Sequence, residues 1–276
     1  MPLARTADLV AAAHRAGVGI AAFNVITLEH VEAIVAGAES ATKPVILQIS
    51  ENAVKFHNGR VKPIAAAARA VAEGAAVDVS IHFDHIEDVA LLHASDETGA
   101  SSVMFDASTL DYDANVAATR AAADWAHERD IYLEAELGEV GGKDGAHAPG
   151  VRTDPSEAAA FVAATDVDAL AVAVGSSHAM SFRTATLDFD LIARLRAAVP
   201  VPLVLHGSSG VADEDLRKAV AAGITKVNVG TILNIAFTDA VRARLAEDRV
   251  VDPRKYLAPA RIAIADTVAS IASVIG

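Results

Sequence analysis

Eight short β-rich runs, nearly all separated by helical patterns, constrain this chain more than any other feature. They are GIAAFNV (19–25), PVILQIS (44–50), VDVSIHFD (77–84), SSVMFDA (101–107), YLEAELG (132–138), DALAVAVG (168–175), PLVLHG (202–207) and KVNVG (226–230). The segments between are Ala-rich with charges at helical spacing, as in LEHVEAIVAGAES and VKPIAAAARAVAEG. Strands alternating with helices pair in parallel through right-handed crossovers. Eight such units in 276 residues predict an α/β chain closed into a (β/α)8 TIM barrel, a single domain over 1–276. An open doubly wound sheet would carry a GxGxxG turn after its first strand, and AFNVITLEH has none.

Hydrophobic residues make up 53 % of the chain but aromatics only 4 %, so packing must rest on Ala, Val, Ile and Leu. A formal charge of −13 argues against nucleic acid or an anionic membrane as partner. Any phosphorylated ligand must then be held by local groups. Without cysteine there is neither a disulfide framework nor a thiolate metal site. MPLARTADLVAAAHRAG reads as an amphipathic helix rather than a signal core, and no run reaches the ~18 apolar residues of a membrane span. A cytoplasmic protein is the expectation.

Polar residues close several apolar runs. His82-Phe83-Asp84-His85 ends the third, His178 follows AVAVGSS, and His206 follows PLVL. Strand C-termini converge at the mouth of a parallel barrel. Imidazoles from separate strands suit a divalent metal with an open coordination position, and Asp84 beside them suits acid–base work. The bland alternative is a set of solvated strand ends. His82, inside its strand, reads as a packed or supporting residue rather than a ligand. His14, His30, His93 and His127 read as solvated helix residues, and His57 and His147 as loop residues.

HGSSG (206–210) and NVGT (228–231) follow the last two strands. Backbone amides in such turns make anion-binding nests, and barrels commonly hold a phosphate there; ordinary turns capped by Ser or Thr are the alternative. Asp106 ends the fourth run, while Glu134 and Glu136 share a face of the fifth. Carboxylates aimed into a barrel need a cation or a basic partner, such as an arginine from the barrel. Lys226 begins the eighth run at the bottom face and the sixth contains no lysine, which disfavours imine chemistry. The Gly-rich stretch at about 138–154 reads as a lid loop.

AFN, SEN, HFDH, VMFDAS, LEAELGEVGG, GSSH, LVLHGSSG, NVGT and DPRKYL occur in that order nearly end to end. In this the chain resembles the class II (metal-dependent) ketose-bisphosphate aldolases, in their fructose- and tagatose-bisphosphate branch. The resemblance implies that His85, His178 and His206 hold a catalytic zinc ion (Zn2+) and that Asp84 shuttles the hydroxyl proton beside the scissile bond. It implies that Gly207, Ser209, Asn228, Gly230 and Thr231 hold the ketose C1 phosphate, with Asn24, Ser50, Ser208 and Val229 also at the substrate. Asp106 and Glu136 match positions that carry an extra metal in some relatives. Arg254 matches an arginine that reaches the distal phosphate in a neighbouring subunit, which implies a homodimer or homotetramer.

Two positions depart from the family pattern. Ala179 follows His178 where a glycine usually contacts the phosphate or a monovalent cation (Na+ or K+). The lid usually reads GG-x-E-D, but here Gly141-Gly142-Lys143-Asp144-Gly145 puts Asp144 in place of the proton-transferring glutamate. Ala107 also stands where glycine is common. The implied reaction is reversible cleavage of fructose- or tagatose-1,6-bisphosphate to dihydroxyacetone phosphate and glyceraldehyde 3-phosphate. A metal-dependent hydrolase and a non-catalytic sugar-phosphate-binding barrel are the alternatives.

Overall fold

All eight expected strands form, and they close on themselves. In the computed structural model, which describes residues 3–137, 152–176, 182–247 and 249–276, β1 (Ile20–Asn24), β2 (Val45–Ser50), β3 (Val79–Ile86), β4 (Ser102–Phe105), β5 (Tyr132–Glu136), β6 (Ala169–Ala171), β7 (Leu203–Leu205) and β8 (Ile224–Val229) pair in sequence order. Every pairing is parallel, and β8 returns to β1 with Ile20 opposite Lys226 and Ala22 opposite Asn228. The fold is a (β/α)8 barrel.

The helices are α1 (Thr6–Ala16), α2 (Leu28–Ala41), α3 (Glu51–Phe56), α4 (Val61–Glu73), α5 (Val89–Ser95), α6 (Tyr112–His127), α7 (Pro155–Thr165), α8 (Phe189–Ala198), α9 (Asp213–Ala222), α10 (Thr231–Glu247) and α11 (Pro253–Ile275). Side-chain oxygens start several of them: Asp111 accepts from the Ala114 amide, Asp154 from Ser156 and Glu157, and Asp188 from Leu191. Each satisfies helix-start donors that would otherwise lack a partner. Between strands and helices runs a continuous apolar layer of Val, Ile, Leu and Ala, with Phe23, Phe83 and Phe161 among its few aromatics.

The barrel interior is different. Its N-terminal end is plugged by α1, whose Leu9, Val10 and Ala13 pack on Ile20, Ala22 and Ile46. Met104, Ala169, Ala171 and Val204 fill another part. The remaining inward positions are polar and buried, among them Gln48, Ser80, His82, Asp84, Ser102, Glu134, Glu136 and Lys226. Buried polar groups are tolerated only when paired, so this network must satisfy itself.

Two expectations fail, and one long helix has to be placed. Strand β8 starts two residues before the KVNVG run, so Lys226 lies mid-strand with its side chain fully buried rather than at the bottom face. Gly223, at φ +139, caps α9, and β8 begins at the next residue, Ile224. His30 is not solvated but 4 % exposed, stacked on Phe237 of α10 at 5.2 Å. Finally, α11 is long and apolar enough to cross a membrane by length and composition. Here it lies along α2 and α10, burying Ala260, Ile264, Val268 and Ile271.

Candidate active site

Strand alternation would send Asp84 into the barrel and His85 out toward the helices. A register shift between Phe83 and Ile86 prevents that, and His85 takes φ +48. A left-handed histidine costs about 1–3 kcal/mol, yet the bulge swings its ring to the mouth. His85 Nδ1 donates to Asp106 Oδ2 at 2.8 Å, and its ring meets the His206 ring edge-on at a centroid distance of 4.8 Å. His85 thus sits inside β3, at a bulge, not beyond the strand end as the run HFD alone suggested.

His206 follows β7 and is fully buried. Its Nε2 lies 3.3 Å from Glu134 Oε1 and its Nδ1 3.3 Å from Glu136 Oε2. Ser176 donates to its backbone oxygen at 2.6 Å, tying the end of β6 to β7. Donor atoms of Asp84, His85 and His206 lie within 4.8 Å of one another, and so do those of His85, Asp106 and Glu136.

The charge balance of this cluster calls for a cation. Asp84, Asp106, Glu134 and Glu136 gather around His85 and His206, and Lys226 pairs with Glu134. Burial lowers the His85 pKa, but Asp84, the hydrogen bond to Asp106 and Glu136 outweigh it and push it up to about 10. His206 also rises, because Glu134 and Glu136 overcome its burial. Asp106 is held below the usual carboxylate range despite burial, chiefly by the His85 hydrogen bond. Groups that take up protons against their burial are groups that a divalent ion would satisfy instead. Imidazole and carboxylate donors at this spacing fit such an ion.

Asp84 is 2 % exposed and held from two sides. Gln48 Nε2 donates to its Oδ2 at 3.0 Å and Asn228 Nδ2 to its Oδ1 at 3.3 Å. Gln48 Nε2 also reaches Asn24 Oδ1 at 2.9 Å. Asn24 is the register partner of Gln48, while Asp84 on β3 lies opposite Ser50, so the Gln48 side chain reaches two residues along the neighbouring strand.

These residues line a cavity of about 640 Å³. One part of its wall is the pair of turns after β7 and β8: Gly207, Ser208, Ser209, Gly230 and Thr231. Gly207 takes φ +67, and a short 3-10 turn, Ser208–Gly210, follows it. Ser208 Oγ donates to the Asn228 carbonyl, and Ser209 Oγ accepts from the Ile232 amide at 3.2 Å. Thr231 begins the 17-residue α10. A long helix N-terminus beside a small-residue turn favours an anion. Another part of the wall is Ser50 with Glu51, Asn52, Lys55 and Phe56 of α3.

Of the expected site residues, Asn24, Ser50, Asp84, His85, Gly207, Ser208, Ser209, Asn228, Gly230 and Thr231 all line this cavity. Asp106, Glu136 and His206 stand beside His85. The Val229 side chain instead joins the apolar layer behind the sheet. The Arg254 side chain is 90 % exposed, pairs with Asp252 at 2.8 Å and does not line the cavity. His178, Ala179, Asp144 and most of the expected lid lie outside the described residues.

Sequence reasoning missed Gln48, Glu51 and Lys226. A lone glutamine in VILQIS, two positions before Ser50, was the available signal for the first. Lys226 is buried and donates to Glu134 Oε2 at 2.7 Å, so of the two partners left open, a cation or a basic side chain, that carboxylate has a basic one, a lysine. This lysine does not line the cavity. His82 proves to be a packed residue: burial and then Lys226 hold its pKa well below the ordinary value.

A family model for "Fructose-bisphosphate aldolase class-II" matches residues 4–276. The fructose-bisphosphate aldolase of Geobacillus stearothermophilus is 38 % identical over 273 residues, covering 97 % of this chain and 95 % of that protein. That of Staphylococcus aureus (strain Mu50 / ATCC 700699) is 36 % identical over 272 residues, with the same coverage. Among solved structures, the YdjI aldolase from Escherichia coli K12 superposes with a TM-score of 0.88 at 31 % identity, over 99 % of this chain and 97 % of that one. A putative fructose-1,6-biphosphate aldolase from Coccidioides immitis gives 0.85 at 29 %, over 98 % and 96 %. With a barrel whose strand ends gather histidines and carboxylates beside an anion nest, and with these matches along nearly its whole length, the chain belongs to the class II fructose-bisphosphate aldolases and is a carbon–carbon lyase.

Proposed function

We propose that this enzyme is a zinc-dependent aldolase reversibly cleaving fructose- or tagatose-1,6-bisphosphate to dihydroxyacetone phosphate and glyceraldehyde 3-phosphate. The observation that carries the reading is one cavity with two ends. Asp84 and His85 are on its wall together with the anion nest of the turns after β7 and β8. His85 and His206 would hold the metal, with His178 as third ligand. A zinc ion bound there supplies Lewis acidity for a carbonyl and its neighbouring hydroxyl.

The chain's own groups do the rest. The nest seats the C1 phosphate and so orients the carbons above Asp84. In the cleavage direction Asp84 takes the C4 hydroxyl proton, the C3–C4 bond breaks, and the aldehyde leaves with its carbonyl formed. The electron pair left on C3 is then protonated by the lid carboxyl group in its acid form, which we assign to Asp144 and which ends as the carboxylate. In condensation the same protons move in reverse. Gln48 and Asn228, each donating to Asp84, keep its oxygens aimed at the cavity.

The proposal extends to assembly. Arg254, exposed and outside its own chain's cavity, would reach the distal phosphate of a neighbouring subunit in a homodimer or homotetramer. Phosphorylated substrates, which their charge retains inside cells, would suit an enzyme of the cytoplasm.

The test is an aldol-cleavage screen across ketose 1-phosphates and 1,6-bisphosphates, with chelated, zinc-restored and untreated protein. Cleavage of a 1,6-bisphosphate that disappears on chelation and returns with zinc is the expected result. Full turnover in metal-free protein, or hydrolysis of esters without C–C cleavage, refutes the reading.

A further inference from the structure

The mechanism leaves one buried ion pair without a task. Lys226 of β8 and Glu134 of β5 face each other across the barrel interior, both fully buried, at 2.7 Å. The other oxygen of Glu134 lies 3.3 Å from His206 Nε2. We propose that this pair is a positioning brace. It fixes His206 as the tautomer with the proton on Nε2, making Nδ1 the nitrogen that donates to the metal. The inference rests on the reading of His206 as a metal ligand.

The directions of the surrounding hydrogen bonds support it. An ammonium can only donate, so Lys226 gives one proton toward Glu134 and another toward His82 Nε2 at 3.4 Å. His82 must then carry its own proton on Nδ1, which donates to Ser102 Oγ at 2.8 Å. The Ser102 hydroxyl donates to Thr6 Oγ1 at 2.8 Å, and Thr6 in turn to Ser80 Oγ at 3.0 Å. Each donor in this chain meets an acceptor, and the order is set by the one group that has no lone pair.

On the other side the same logic continues. Glu134, with Oε2 committed to Lys226, presents Oε1 as an acceptor, and an N–H at His206 Nε2, 3.3 Å away, satisfies it. Nδ1 lies 3.3 Å from Glu136 Oε2, and Glu136 belongs with His85 and Asp106 to a group of donor atoms within 4.8 Å of one another. A carboxylate hydrogen-bonded to the remote nitrogen of a ligating histidine orients the ring and raises its basicity. Lys226 would keep that carboxylate in place through its other oxygen.

Buried pairs can also be retained for folding alone, and replacing both members by apolar residues is often tolerated. The test therefore combines the wild-type protein with paired substitutions. In zinc-loaded wild-type protein labelled with 15N-histidine, long-range proton–nitrogen spectra should show His206 with the proton on Nε2. A proton on Nδ1 overturns the proposal. Glu134→Leu with Lys226→Met should lower zinc affinity about 10–100-fold, the usual effect of losing such a partner. Glu134→Gln with Lys226→Met keeps an acceptor oxygen and should recover part of the loss. Unchanged zinc affinity in a folded Glu134→Leu/Lys226→Met variant also overturns it. A protein that binds zinc in this manner yet cleaves no ketose bisphosphate would sink the functional proposal and leave this one standing.

Discussion

Gln48 Nε2 stands 3.0 Å from Asp84 Oδ2 and 2.9 Å from Asn24 Oδ1, so one amide group bridges the proposed general base and the residue packed against Gly230. Gln48→Leu should leave the barrel folded while freeing Asp84 to turn. We expect kcat to fall about 10–100-fold with little change in bound metal, because positioning errors below 1 Å already cost that much. Steady-state kinetics beside metal analysis checks this. A change in KM alone would show that Gln48 touches substrate and does not orient the base.

Asp84 and His85 are adjacent in sequence yet should fail differently. Asp84→Ala is expected to keep zinc and lose C–C cleavage by about 10²–10⁴-fold, the range of a lost acid–base group. His85→Ala should lose metal affinity as well. Since the His85 pKa reaches about 10 without metal, a proton competes with the metal below that value. Apparent zinc affinity should therefore rise with pH up to that region. Equal metal loss in both variants would refute the division of roles.

Gly230 tests the contact between the anion turn and the network. A Cβ there would stand 3.2 Å from Asn24 Cγ, so Asn24 must give by a few tenths of an ångström. Asn24 accepts from Gln48, which also holds Asp84, and the shift would travel along that path. Gly230→Ala should raise KM for a phosphorylated ketose and lower kcat by about tenfold. Wild-type kinetics in that variant would mean the three residues move independently.

Glu51 offers a pH-dependent signature away from the metal. Burial pushes its pKa up, but Lys55 and the backbone amides of Asp88 and Glu87 outweigh this and hold it below the ordinary glutamate value. A depressed folded value means the group stabilises the fold above the unfolded pKa of about 4.3. That contribution fades as pH falls through the folded value. Glu51→Gln should lower Tm at pH 7, with the gap to wild type closing toward acid. Thermal unfolding across pH reads it, and a gap that widens below pH 4 would contradict the assignment.

The strand–helix alternation made the barrel legible, because parallel pairing leaves few ways to arrange eight such units. Asp84, His206 and the two Gly/Ser turns were legible for a related reason: polar or small residues at the end of buried strands have few other uses. What escaped was set by single backbone angles and by partners distant in sequence. Gly223 caps α9 at φ +139 and β8 begins at the next residue, which leaves Lys226 mid-strand. His85 reached the mouth through a bulge that strand periodicity does not encode. Gln48 looked like an isolated polar residue until β1 and β3 placed Asn24 and Asp84 on either side of it. His30 read as a surface histidine because its neighbour Phe237 is supplied by another helix.

The two turns after β7 and β8 are tied together before any ligand arrives, by Ser208 to the Asn228 carbonyl and by the Ile232 amide to Ser209. Holding two loops in one shape is an entropic cost met once, at folding, and not again at each encounter with substrate. A phosphate entering this cup would lose its own freedom and little of the protein's. More of its binding energy would remain to orient the carbon skeleton over Asp84. Substrates lacking the C1 phosphate should therefore be penalised in turnover as much as in affinity.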